Sequence, residues 1–258
     1  MGLTPAALLA DAWAMLRRDR AVLLGIAGAL WFLPTFALIL LVPGPPLPVA
    51  GMEPASPEAQ RYVEQLTQWF GTSGAWYLAR AVIDAWATAS VYALYLDRST
   101  PDVRGALELG VGLLPRFMLL SMVVGLVSLG GLALYVLPGI WVLARLIAAG
   151  PTLVAERPLG ALAALGRGWR LSRGAALALI GPVGIALAMG WLVPQPFLLL
   201  DRWLRARPGG VNVAALATAD ALAAAGETAA AIASALIAIA AYRRLVSRGQ
   251  PPSGGPSR

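Results

Sequence analysis

Charged side chains interrupt three of the most apolar stretches of this 258-residue sequence. Arg80 and Asp84 are four residues apart and would share one face of a helix. Asp220 and Glu227, seven apart, would share a face of another, and Arg145 is the fifth such residue. At the centre of a membrane helix each ionised group costs about 2.5–3.5 kcal/mol. We therefore expect these five side chains to face inward and to pair.

Two interpretations of this polar network are open. It could be a functional site, either a polar pathway or a pocket for a lipid head group. It could equally be a satisfied ion network that fixes how neighbouring helices pack. Asp220 has a third option, because it lies close enough to one end of its segment to sit at the membrane interface without a partner.

The residues that most enzymes depend on are missing. The chain has no histidine and no cysteine, which removes the usual general base, the thiolate nucleophile and the commonest metal ligands. Serine-hydrolase, nucleotide-binding, zinc-protease and lipid-transferase motifs are also absent. We predict no catalytic residue, no metal site, no cofactor and no enzymatic activity.

The composition predicts an all-α polytopic membrane protein. Hydrophobic residues make up 59% of the chain and charged residues 13%, with a mean hydropathy of +0.71. Soluble domains carry about 25% charged residues, so this chain could not cover itself with polar surface in water. We expect one membrane domain, residues 1–246, followed by a disordered cytoplasmic tail, residues 247–258.

Hydropathy predicts six transmembrane helices. Pro34 should kink the first, and only Pro138 and Gly139 separate the third from the fourth, which predicts a tight hairpin there. Small residues four apart, from Gly226 to Ala238, predict that the last helix packs centrally. The predicted spans are residues 21–42, 75–96, 117–137, 140–155, 175–200 and 213–242.

Amphipathic interfacial helices are predicted outside the spans, at residues 4–18, 57–70, 102–114 and 157–173. Thr4 can cap the first of these helices, and Ser56 can cap the second. The first would bury Leu9, Trp13 and Leu16, unless it is an extension of the first span. The last would bury Leu162, Leu165 and Trp169. Three of these helices open with similar tripeptides, which suggests three repeated units of surface helix plus hairpin. These tripeptides are Ala6-Ala7-Leu8, Gly105-Ala106-Leu107 and Gly160-Ala161-Leu162.

All 20 basic residues are arginines, and their placement predicts the orientation. With both termini in the cytoplasm, fourteen arginines fall inside and four outside, as the positive-inside rule requires. That placement also argues against nucleic acid as a partner. The cluster at 202–207 violates the rule locally, and the sequence offers no reason for it.

The basic helix at 157–173 is a candidate contact for anionic lipid head groups. Its arginines lie beside a tryptophan, and each basic residue near a membrane surface adds about 1 kcal/mol of attraction to anionic lipid. Ordinary topological anchoring explains the same pattern. The candidate residues are Arg167, Trp169, Arg170 and Arg173.

Residues 137–174 resemble a known family. The chain reads Leu137-Pro138-Gly139-Ile140-Trp141, then Ala155-Glu156, then LGALAALGRGWRLSRG up to Gly174. This is similar to a bacterial six-span inner-membrane superfamily that includes the membrane domain associated with glycerophosphoryl diester phosphodiesterases and the YciC-like proteins. The resemblance implies a six-helix fold in the inner membrane. It brings no activity, because the phosphodiesterase domain is a separate histidine-dependent barrel.

These observations lead to two functional hypotheses. The first is a non-enzymatic inner-membrane protein that interacts with lipid or assists a membrane complex. The alternative is a small transporter or channel that uses the intramembrane charges. An intramembrane lipid enzyme would require Asp84, Arg145 and Glu227 to converge on a wet cavity.

Overall fold

The computed structural model describes residues 3–48, 51–53, 56–97, 99, 102–134, 136–207 and 212–249, without the side chains of 129–134, 136 and 249. Every regular element in these ranges is helical, which confirms the all-α class. The helices are α1 (Pro5–Arg18), α2 (Arg20–Ala27), a π turn (Gly28–Phe32), α3 (Leu33–Leu41), α4 (Pro57–Leu96), α5 (Val103–Leu134), α6 (Val136–Leu146), α7 (Ala149–Ala155), α8 (Ala161–Leu171), α9 (Ala176–Leu192), α10 (Gln195–Arg205) and α11 (Val213–Gly249).

Five helical segments in the described ranges are long and apolar enough to cross a membrane, which is typical of a multi-pass membrane protein. Their outer faces carry exposed apolar side chains such as Leu177, which is 86% exposed. The predicted span 75–96 is not among the five, since Arg80 and Asp84 lower its hydropathy. A sixth span is therefore not confirmed. The five segments are Arg20–Leu41, Val103–Ser128, Leu137–Ala155, Ala176–Arg205 and Val213–Arg248.

Pro34 disturbs the first span, as predicted, through a π turn at Gly28–Phe32. A proline inside a helix donates no hydrogen bond, and its ring crowds the preceding turn. The wider turn accommodates it: the Leu33 N–H donates to the Gly28 carbonyl, five residues back. The helix then continues to Leu41.

The helix α4 joins two elements that the sequence predicts separately. Ser56 caps it as predicted, with its hydroxyl oxygen accepting from the Ala59 N–H at 3.1 Å. From Pro57 the helix runs for 40 residues to Leu96, through Gly71 and Gly74. Neither glycine adopts the left-handed conformation that ends a helix. The predicted interfacial helix and the predicted second span are therefore one continuous rod.

The helix α5 is also continuous, from Val103 to Leu134, with Pro115 in its interior. The predicted surface helix 102–114 and the predicted third span 117–137 are thus a single helix. Nothing between them terminates the backbone hydrogen bonding, because one proline bends a helix without necessarily ending it. The second proposed repeat unit has no separate surface helix, so the three-unit repeat is not confirmed.

The predicted turn at Pro138-Gly139 is wrong in position. The helix α5 ends at Leu134 and α6 begins at Val136, so Pro138 and Gly139 lie in the first turn of α6. Proline is favourable there because the first N–H groups of a helix have no intrahelical partner. Both residues are helical, so the dipeptide is not the break between two helices that was predicted.

The central position predicted for the last span is confirmed. In α11, 61% of the most apolar window is buried, more than in any other candidate span. The small-residue stripe packs against α9 and its end: a Cβ at Gly190 would lie 3.5 Å from Ala230 Cβ, and one at Gly226 would lie 2.9 Å from Val193 Cγ1. The helix runs to Gly249, so residues 247–249 of the predicted tail are helical. Residues 250–258 lie outside the described residues.

The N-terminal helix and the last turns of α11 lie at the same end of the bundle. Arg244 Nε lies 2.5 Å from Asp11 Oδ2, and the Tyr242 hydroxyl donates to Glu156 Oε1 at 3.3 Å. We call this end, which is formed by α1, α8 and the last two turns of α11, the arginine-rich end. The start of α11 marks the opposite end.

The helix α1 exists as predicted, capped by Thr4, but its buried face is different. The side chains of Leu8, Ala12 and Met15 face the bundle, whereas Trp13 is 59% exposed. Asp19 then breaks the helix with non-helical backbone angles. The helix α1 is therefore a separate element and not an extension of the first span.

The buried face of α8 also differs from the prediction. Ala161, Ala164 and Gly168 are buried, Leu162 is exposed and Trp169 is half-buried. Small residues face inward because α8 lies directly on the backbone of α7. A Cβ added to Gly168 would lie only 2.8 Å from the Ala149 nitrogen. The packing depends on the missing side chain.

The close approach at Gly168 can be tested with a matched pair of substitutions in one helix. Gly168→Ala should lower stability by about 1–3 kcal/mol, since the methyl group meets backbone that cannot rotate away. Gly166→Ala meets only the end of the Arg170 side chain at 3.8 Å, and alanine favours helix by about 1 kcal/mol. Thermal unfolding in a nonionic detergent should thus separate the two, with only Gly168→Ala below wild type. Equal melting temperatures would contradict the packing.

Candidate functional site

Three of the five intramembrane charges meet between α4 and α11. Arg80 Nη2 lies 2.6 Å from Glu227 Oε2, and Arg80 Nε lies 3.4 Å from Asp84 Oδ2. The contact to Asp84 is long, and Asp84 Oδ1 is buried without a hydrogen-bond partner. The guanidinium therefore neutralises Glu227 and leaves Asp84 only weakly paired. We call these residues the Arg80 cluster.

A cavity of about 640 Å³ opens beside Asp84. Helices α4, α5, α6, α7, α9 and α11 form its wall, and most of its lining is aliphatic. Its other polar groups are hydroxyls, among them those of Thr88, Ser121, Ser128 and Ser234. The hydroxyl of Ser128 is buried without a partner, as is one oxygen of Asp84. Asp84 is the one residue with a carboxylate among the described lining residues.

Asp220 belongs to a second cluster, seven residues before Glu227 on α11. It is fully buried and has a cationic neighbour, so it is not the residue without a partner that the third option requires. Arg205 Nη2 is 3.4 Å from Asp220 Oδ2, and Arg205 Nε is 2.7 Å from Asp201 Oδ1. The same Nη2 is within 3.4 Å of the Ile39 carbonyl, in the last turn of α3. Arg205 thus ties α10 to α11 and α3.

This second cluster explains part of the unexpected arginine group at 202–207. Arg205 is occupied by two carboxylates, and the guanidinium of Arg207 stacks on the Trp203 ring at 3.7 Å. The spacing of Asp201 and Arg205, four apart on a helix, is a signal in the sequence for this pair. Its connection to Asp220 has no such signal.

Arg145 does not join the acidic residues. Its guanidinium lies over the Trp169 ring at 4.3 Å and near the Trp141 ring at 5.8 Å, and Nη2 donates to the Trp169 carbonyl at 2.9 Å. Ser172 completes the contact by donating to the Arg145 carbonyl at 2.8 Å. Arg145 is only 7% exposed, and its Nε lacks a partner. Aromatic faces and a carbonyl thus replace a carboxylate.

The four residues predicted to contact anionic lipid fall into two groups. Arg167 Nε lies 3.0 Å from Glu156 Oε2, and Trp169 is held against Arg145. By contrast, Arg170 and Arg173 are exposed and have no acidic partner among the described residues. Only this second pair is available to an external anion.

Asp97, at the end of α4, forms the best-defined ion pair outside the spans. Its carboxylate accepts from the Ser99 N–H at 3.0 Å, from the Ser99 hydroxyl at 2.8 Å and from Arg157 Nη2 at 2.5 Å. Burial opposes ionisation, but the hydrogen bonds from Ser99 and the charge of Arg157 outweigh it and hold the pKa of Asp97 below 3.8. Folding therefore stabilises the charged form.

The described side chains include no group of three or more histidine, cysteine, aspartate or glutamate residues placed to hold a metal ion. Comparison of the chain with family models, curated proteins and solved structures gives no match. The superfamily resemblance of residues 137–174 therefore stays a prediction.

The Asp97 pair should make stability depend on pH in one direction. Asp97→Asn should cost about 1–3 kcal/mol at neutral pH, because it removes a hydrogen-bonded charge. Since folding lowers the pKa of Asp97, this stabilisation is complete above the unfolded-chain value of about 3.9 and is lost as pH falls through the lower folded value. The melting-temperature gap between wild type and variant should therefore be constant from pH 7 to about 5 and close in stronger acid.

The exposed acid Glu64 provides the control for that titration. Glu64→Gln removes an equal charge and should leave the melting temperature unchanged at every pH. An Asp97→Asn gap that persists undiminished at low pH would show that ionisation of Asp97 is not its origin.

Arg205 can be tested against its neighbour Arg202. Arg205→Met should destabilise the protein by about 2 kcal/mol or more, because the buried carboxylates of Asp201 and Asp220 lose their guanidinium. Arg202→Met removes an exposed charge and should have little effect. Thermal unfolding of the two variants distinguishes them, and equal stability would argue against the cluster.

Proposed function

We propose that this chain is a non-enzymatic protein of the bacterial inner membrane that binds anionic lipid head groups at its arginine-rich end. Membrane organisation, or assistance to a membrane complex, would follow from that binding. The observation that carries the proposal is the surplus of exposed arginines on and around α8. Arg170 and Arg173 are the central pair.

The acidic residues of the arginine-rich end are already engaged. Four carboxylates at this end or on the segments next to it each face a guanidinium, in pairs that join Asp11 to Arg244, Asp19 to Arg18, Asp97 to Arg157 and Glu156 to Arg167. Further arginines there are exposed and have no acidic partner among the described residues. The surplus positive charge is therefore directed outward, where phosphate groups of lipids would meet it. These exposed arginines are Arg17, Arg20, Arg170, Arg173 and Arg248.

Apolar side chains accompany that charge. Leu162 on α8 is 69% exposed, and Trp13 on α1 is exposed as well. In water, exposed apolar side chains like these add no stability. An interfacial helix instead inserts such residues among the lipid chains while its arginines stay at head-group level. Charge and apolar anchors together support an interfacial position for α1 and α8.

The course of the helices supports six crossings with both termini on one side. Since α1 pairs with the end of α11, the chain must cross an even number of times between them. Five segments qualify by length and composition. The helix α4 also extends between the two ends of the bundle, because Trp69 contacts Pro43 near one end and Tyr95 contacts Asp19 near the other. Counting α4 as a crossing gives six. The positive-inside rule then assigns the arginine-rich end and both termini to the cytoplasm.

The head-group proposal predicts selective loss of anionic lipid in one double variant. Arg170→Gln with Arg173→Gln should weaken binding of phosphatidylglycerol about thirtyfold, at about 1 kcal/mol for each arginine. Native mass spectrometry in a nonionic detergent, titrated with phosphatidylglycerol or phosphatidylcholine, measures it. Wild type should retain the anionic lipid preferentially.

The matched control removes two exposed arginines away from α8. Arg61 and Arg202 also lack an acidic partner among the described residues. Arg61→Gln with Arg202→Gln makes the same change in net charge and should leave phosphatidylglycerol binding intact. Equal loss in both double variants, or no preference for the anionic lipid, would overturn the proposal.

The alternative, a small transporter or channel, is favoured by the cavity beside Asp84. A through-channel fits less well, because Ala223 and Ala224 are fully buried on α11 between Asp220 and Glu227. Apolar packing thus separates the two charged clusters. The geometry supports a single binding site more than a continuous polar path.

A further inference from the structure

We propose that the cavity beside Asp84 binds an amphiphile with an ammonium head group, and that the Asp84 carboxylate is its counter-ion. This site lies on different residues from the lipid contacts of α8 and does not depend on them. The arguments are the size of the cavity, the charge beside it and the chemistry of its wall.

The cavity has the size and lining of a small-molecule site. Its volume of about 640 Å³ falls within the range of about 300–1,000 Å³ for ligand pockets. Along α4 its lining runs from Ala81 to Tyr92, about 16 Å of helix. Asp84 lies toward one end of this length, and the Tyr92–Phe117 ring pair lies at the other. An elongated apolar molecule with one polar end matches this arrangement.

The Arg80 cluster carries one negative charge too many. Among the described residues, Arg80 is the one cation paired with Asp84 and Glu227, and its 2.6 Å contact goes to Glu227. Asp84 Oδ1 receives no hydrogen bond, and Arg80 Nε is likewise without one. An uncompensated carboxylate among apolar helices is costly. A ligand cation next to Asp84 would offset that cost, whereas an anion would add to it.

The wall of the cavity selects against other cations. Its described lining offers hydroxyls and aliphatic groups, such as Ser121, Ser128 and Ser234, with no carboxylate besides Asp84. A divalent metal requires several oxygen ligands that carry charge. An ammonium head group, with or without N–H donors, requires one carboxylate, and hydroxyl oxygens can turn their partial negative charge toward it. The alkyl chain would then lie against residues such as Leu120 and Ile237.

Two substitutions test separately the contribution of the Asp84 charge and that of the cavity volume to ligand binding. Asp84→Asn removes the counter-ion and keeps the shape. Gly125 lines the cavity, and a Cβ added there meets nothing within 4 Å, so Gly125→Leu would fill space and keep the charge. Glu108→Gln, at an exposed acid paired with Arg104 outside the cavity, is the matched control for loss of a carboxylate.

The experiment measures binding of dodecyltrimethylammonium and of uncharged dodecanol to the purified protein in a nonionic detergent, by calorimetry. Wild type and Glu108→Gln should bind the cation at one site, at least tenfold more tightly than dodecanol. Asp84→Asn should lose that preference and keep its dodecanol binding. Gly125→Leu should weaken both ligands, which keeps the test decisive if Asp84→Asn fails to fold.

The source of the ligand is distinguished by a second arm. Native mass spectrometry of protein extracted directly from membranes shows whether phosphatidylethanolamine, a lipid with an ammonium head, is retained by wild type and lost in Asp84→Asn. Retention assigns the site to a membrane lipid, and its absence alongside dodecyltrimethylammonium binding assigns it to a free amphiphile. Equal affinity of wild type for cation and dodecanol, or equal loss in Glu108→Gln, would overturn the proposal.

Discussion

An ionised side chain cannot be left alone among apolar helices, and this constraint organises the bundle. Three arginines contact a group on another helix, whereas Asp84 is paired only weakly, within its own helix. Arg80 reaches from α4 to Glu227 on α11, Arg205 from α10 to Asp220, and Arg145 from α6 to the Trp169 ring on α8. Apolar contacts between membrane helices have little directional preference. The charges therefore specify which helices are neighbours and at what height they meet.

The contact of Arg145 with two tryptophan rings explains several residues of the stretch 137–174, for which the superfamily resemblance is predicted. Trp141, Arg145, Trp169 and Ser172 lie in or between its two most recognisable strings and form one contact. Gly168 adds the close approach of α8 to α7. These residues hold a surface helix against a span. The residue pattern is explained by packing and needs no catalytic role.

Local rules predicted those features that depend on neighbouring residues. Thr4 and Ser56 cap their helices, Pro34 disturbs its span, and small residues bring α11 against α9. Features that depend on residues distant in the chain could not be predicted from the sequence. Pro138-Gly139 suits both a turn and a first helical turn, so the sequence could not place the bend.

The prediction of which face of each surface helix is buried was wrong for a related reason. Hydropathy favours burying Trp13 and Leu162, but a membrane interface accepts such residues on the outside, and close packing selects alanine and glycine for the inside. In the candidate site, the spacing of Arg80 and Asp84 predicted a pair. The sequence did not predict that Arg80 would pair more closely with Glu227 than with Asp84. That preference depends on the relative positions of α4 and α11.

The break between α6 and α7, at Ile147 and Ala148, touches two parts of the molecule at once. Ile147 and Gly150 line the cavity, while the backbone of Ala148 and Ala149 lies against Gly168 of α8 without room for a methyl group. A surface helix seated this tightly cannot tilt or lift independently of the broken span. A displacement of α8 would therefore also move the wall of the cavity that Ile147 and Gly150 form.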